Sequence, residues 1–83
     1  MKMKKIKEIK LHDFYQSCIL KTAGFSIIRL ERNNSKFVEF VFDDSRSEAE
    51  SVLKEYWNRN LKLQARDLVE NISELKTRIF SGV

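Results

Sequence analysis

The sequence predicts a small α+β domain: an N-terminal helix, an antiparallel β-hairpin, and two C-terminal helices packed on the sheet. Three observations predict it. Two alternating segments, Phe25 to Glu31 and Lys36 to Asp43, flank a tight-turn sequence, Asn33-Asn34-Ser35, and asparagine tolerates the left-handed backbone such turns require. Ala49, Val52, Leu53, Tyr56 and Trp57 recur at helical spacing, the strongest periodic signal in the chain. The 83 residues hold no proline, two glycines and one cysteine, a composition that supplies neither a flexible linker nor a disulfide framework.

Helix 1 is expected from about 12 to 23. Asp13 precedes it as a capping residue, with Gln16 three positions on as its capping-box partner. Phe14, Tyr15, Cys18 and Ile19 share one half of the helical wheel, and Gly24 fits the position just past the C-cap, where a left-handed residue ends a helix. In the hairpin, Ile28 and Leu30 with Val38, Phe40 and Phe42 are expected on the buried face. Phe25, Ile27, Phe37 and Val41 then make the second face partly apolar too. A sheet apolar on both sides wants cover on both, from helices or from a second subunit. Helix 2, expected from about 46 to 59, opens on two overlapping capping boxes, Ser45 with Glu48 and Ser47 with Glu50, and Asn60 ends it. Leu61-Lys62-Leu63 is either a connector or a short third strand. Helix 3 is expected from about 66 to 80 on the stripe Leu68, Ile72, Leu75 and Ile79.

The net charge of +4 lies in the first ten residues, where Lys2, Lys4, Lys5, Lys7 and Lys10 face one acid, Glu8; the remainder is balanced. The chain therefore divides into a basic N-terminal arm, residues 1–10, and one domain, residues 11–83. In the arm, Ile9 and Leu11 alternate as in a short strand, while Met3, Ile6 and Ile9 could form one edge of a helix. The five lysines are the candidate phosphate contacts, and binding through them would be salt-sensitive. No apolar run is long enough to span a membrane, no secretory signal is visible, and one unpaired thiol fits a reducing, cytoplasmic setting.

No residues form a coherent active site. Cys18 and His12 lie six positions apart, on different sides of a helix, and Cys18 reads as a small core residue. Asp43 and Asp44 read as helix caps. Asp67, Glu70 and Glu74 read as a solvated face, with Glu74 spaced to pair with Arg78. Phe37-Val38-Glu39-Phe40 matches the tail of an RNA-recognition pattern, but the residues before it lack that pattern's glycine and aromatic positions. No catalytic or metal-ligating residue, cofactor or small-molecule substrate is inferred. The candidate protein interface is Phe37, Val41, Trp57 and Arg59, since aromatic residues and arginine dominate interface hot spots.

Several segments resemble a bacterial and phage family known as domain of unknown function 5659. They are Asp13-Phe14-Tyr15 with Leu20 and Gly24, the strand end Phe40-Val41-Phe42-Asp43, Tyr56-Trp57-Asn58, Arg66-Asp67-Leu68 and Leu75-Lys76. The resemblance spans roughly residues 11–80. It implies a phage or mobile-element setting and supplies no activity or site residues. The expected function is a non-catalytic interaction module that binds a protein partner or forms a homodimer. The alternative is a nucleic-acid-binding accessory protein acting through the lysine arm.

Overall fold

A computed structural model describes residues 7–33 and 37–81. The elements run β1 (Glu8–Leu11), α1 (Phe14–Thr22), β2 (Ile27–Asn33), β3 (Phe37–Asp43), α2 (Ala49–Trp57) and α3 (Ala65–Phe80). The α+β class and the three helices agree with the sequence reading; the order differs, because a strand comes first. The sheet is antiparallel with β3 central, in the order β1-β3-β2. The third strand is thus Glu8–Leu11, and Leu61 to Leu63 is a connector. A boundary after Lys10 runs through β1, which pairs Ile9 with Phe42 and Leu11 with Phe40.

Asp13 caps α1, accepting a 2.8 Å bond from the Gln16 amide on Oδ1. At the far end the Phe25 amide reaches back to the Leu20 carbonyl and the Gly24 amide to that of Lys21, the paired bonds of a Schellman stop. Gly24 sits at φ +108 with open space around its missing Cβ. Its requirement is therefore conformational rather than steric. The same stop ends α2, where Arg59 holds the left-handed position at φ 64; its amide bonds the Tyr56 carbonyl, and that of Asn60 the Glu55 carbonyl. Gly24→Ala should destabilise the domain by about 1 kcal/mol and Arg59→Gly should stabilise it by up to about 1 kcal/mol. Urea midpoints at unchanged slope would register both, and shifts of the same sign would contradict this account.

The start of α2 departs from expectation. The capping boxes built on Ser45 and Ser47 do not cap the helix: Ser47 lies at φ 57, and Glu48 occupies the N-cap without a side-chain cap bond. Asp44, buried at the end of β3, does the work from upstream. Its Oδ1 accepts from the Glu48 amide at 2.8 Å and the Ala49 amide at 3.0 Å. Helix 2 consequently begins later than residue 46.

The core joins Cys18 and Leu20 of α1, Phe40 and Phe42 of β3, Ala49 of α2 and Leu75 of α3. The three helices cover one face of the sheet. A bulge in β2 corrects the expected facing of that strand. Ile27 stands opposite Phe42 and Arg29 opposite Val41, so Ile28 is an extra residue. Because side chains alternate, one extra residue exchanges the faces before it. Phe25 and Ile27 therefore join Leu30 and Val38 against the core, while Ile28 is exposed.

Among the described residues no helix covers the opposite face. Lys10, Val41 and Arg29 stand side by side across the three strands. Above Val41 the Arg29 guanidinium grips Glu8 at 3.0 Å and Glu31 at 2.7 Å, and Lys10 reaches Glu31 at 3.2 Å. Their aliphatic stems roof Val41, which is left with no exposed surface.

Candidate protein-docking interface

The chemistry-bearing residues are placed apart. Cys18 is fully buried, and burial pushes its thiol up to about 11, so it stays protonated and unreactive near neutrality. His12 precedes α1 and lies in the open, its Nε2 3.2 Å from Glu39 Oε2. Asp43 accepts from the amide and hydroxyl of Ser45, Glu70 pairs with Arg66 at 3.2 Å, and Glu74 pairs with Lys21 of α1 at 3.0 Å. That last pair replaces the expected Glu74–Arg78 contact and ties α3 to α1. Among the described residues no group of three or more acids, histidines or cysteines could hold a metal ion. An open cleft of about 300 Å³ lies between Gly24-Phe25-Ser26 and the Asp43–Glu48 segment, lined by the caps just described.

The carboxylates over Val41 carry a pH signature. Hydrogen bonding to Arg29 holds Glu8 and Glu31 below their ordinary 4.5. Bonds from Ser45 hold Asp43 below 3.8. A lowered folded value means these acids contribute their full stability above the ordinary carboxylate range and lose it as pH falls through the lowered values. The melting temperature should therefore fall on acidification below about pH 4.5. Arg29→Gln should lower it at neutrality and flatten that acid limb, whereas parallel curves for the two proteins would exclude Arg29 as the cause.

The candidates singled out in the sequence are scattered. Lys2, Lys4 and Lys5 lie outside the described residues. Lys7 donates to Ser47 Oγ at 3.0 Å, and Lys10 is committed to Glu31. Val41 has no surface to offer a partner. Trp57, 66% exposed, stands edge-on to Tyr56, with Arg59 two residues beyond. Phe37 is 64% exposed.

Phe37 has company that periodicity did not reveal. His12 stands edge-on to it at 6.5 Å and leads directly into α1, where Phe14 packs on Phe40 at 6.3 Å and on Tyr15 at 5.3 Å. Helices α1 and α3 run antiparallel, as the Thr22–Asn71 bond and the Lys21–Glu74 pair show. The last turn of α3 therefore reaches the first turn of α1. Arg32, opposite Val38 in the hairpin, donates to the Ile79 carbonyl and brings that turn to the same end. Tyr15, Phe37 and Phe80, 58%, 64% and 84% exposed, thus lie toward the hairpin-tip end, Tyr15 and Phe80 on the helices and Phe37 on the sheet face turned away from them.

The pattern of the family described as Domain of unknown function (DUF5659) matches residues 6–81. The chain belongs to this family. The match takes in every described element of the DUF5659 domain, β1 included, and begins after Lys5. No curated protein and no solved structure matches the chain. Among its described residues no helix is long and apolar enough to cross a membrane.

Proposed function

We propose that this DUF5659 domain is a non-catalytic interaction module that docks a protein surface through its hairpin-tip end. The observation that carries the reading is the exposure of three aromatic side chains toward one end of the molecule, Tyr15, Phe37 and Phe80, each more than half exposed. Exposed aromatic side chains carry large apolar area and are enriched where proteins dock. Trp57 and Arg59, placed at the end of α2, form a smaller, separate contact. The buried, unpaired Cys18 suits a reducing compartment, and we place the module in the cytoplasm.

A photo-reactive phenylalanine analogue introduced at position 80 tests this in the producing cell. Val69, also solvent-facing on α3 at 63% exposure, is the control position. Discrete protein adducts from position 80 that are absent from position 69 are expected. The same adducts from both positions, or none from position 80, would refute the reading.

A further inference from the structure

We infer that β1 is a detachable strap: Glu8–Leu11 leaves and rejoins the sheet as a unit while the rest of the domain stays folded, and salt loosens its hold. The inference is independent of the docking role proposed above. Its first support is the place of the core. Among the described residues every buried one lies outside β1, whose Glu8 and Lys10 are exposed and whose Ile9 and Leu11 are only partly buried. A segment with little buried surface opens at a lower cost than the whole molecule. Helix α1 keeps its start without β1, because Asp13 caps it through its own side chain. That leaves His12, between strand and cap, as the hinge.

The second support is how β1 is tied down. Its side chains reach past β3 to β2: the Glu8 carboxylate accepts two 3.0 Å bonds from Arg29, and Lys10 meets Glu31 at 3.2 Å. Just before the strand, Lys7 donates to Ser47 Oγ. These ties lie at the surface, where salt screens ion pairs. The β2–β3 hairpin is held differently, by two seven-residue strands and by the buried rings of Phe40 and Phe42. Ionic strength therefore frees β1 in preference to β2. With β1 away, β3 turns from a central strand into an edge, and its outward backbone groups lose their partners.

The backbone of β3 carries its own readout. The Asp44 amide donates to the Lys7 carbonyl at 2.7 Å and the Asp43 amide to the Ser26 carbonyl at 2.9 Å. Hydrogen bonds to the two neighbours of an antiparallel strand alternate along it. The amides of Phe40, Phe42 and Asp44 therefore face β1, and those of Val41 and Asp43 face β2. Native-state hydrogen exchange, followed by NMR on the full chain, tests the inference. Protection at Phe40, Phe42 and Asp44 should be about tenfold lower than at Val41 and Asp43. Molar salt should widen that gap about threefold. Glu8→Gln should widen it as much at low salt, leaving Val41 and Asp43 as protected as before. Equal protection of the two sets, a gap that either salt or Glu8→Gln leaves unchanged, or a variant in which both sets lose protection together would each overturn the inference.

Discussion

Phe42→Ala should remove about 3–5 kcal/mol of stability, against a total of roughly 4–12 kcal/mol for a domain of this length. Phe42 is fully buried on the central strand, paired with Ile9 on one side and Ile27 on the other. Its ring is common to the sheet and to the cluster of Cys18, Leu20, Ala49 and Leu75. Truncation opens a cavity that three helices and two neighbouring strands would have to collapse together to fill. Circular dichroism in urea is the suitable measurement, because Trp57 is already 66% exposed and its fluorescence will change little. Phe37→Ala, on the same strand but facing solvent, should cost within about 0.5 kcal/mol. Equal losses at 42 and 37 would mean that the core lies elsewhere.

Asp44→Ala should cost about 2 kcal/mol, because it leaves the Glu48 and Ala49 amides without their acceptor at a buried helix start. Asp44→Asn keeps an oxygen in the same place and should retain most of the stability. Ser47→Ala should fall within about 0.5 kcal/mol, since its hydroxyl meets the Lys7 amine rather than the helix. If the serine mattered more than the aspartate, the capping box would be restored as the helix-start signal and the upstream cap discarded.

The long elements were legible because their periodicity is repeated. Leu68, Ile72, Leu75 and Ile79 place α3 nearly to the residue, and Asp13 with Gly24 brackets α1. What escaped was set by single residues or by distant partners. A bulge leaves no periodic trace, so Ile27 and Ile28 are exchanged between faces. β1 is four residues in a lysine-rich stretch, and only its pairing with β3 makes it a strand. Asp44 was legible as a helix cap, and it caps α2 in place of the boxes expected on Ser45 and Ser47. Of the interface candidates, Phe37 and Trp57 were visible as large aromatics at the edges of their patterns. Val41 misled because it shares Phe37's side of the strand, and nothing local says that side chains from β1 and β2 meet above it. Tyr15 and Phe80 adjoin apolar stripes in sequence, and only the antiparallel packing of α1 and α3 shows that they gather at one end.

The central place of β3 also orders events in time. Of the described elements β1 is made before the others, yet its pairing partner, Phe40 to Asp43, follows more than a helix and a strand later. Until then, Glu8–Leu11 has no ladder to join, and Arg29 has no Glu8 to hold. The β2–β3 hairpin can close locally, so the nascent chain should pass through a stage with a two-stranded sheet whose Val41 is half uncovered. Completion then requires the N-terminal segment to return across the hairpin. A partner or surface that holds the lysines of the first residues during synthesis would therefore delay the last strand, and with it the closure of the domain.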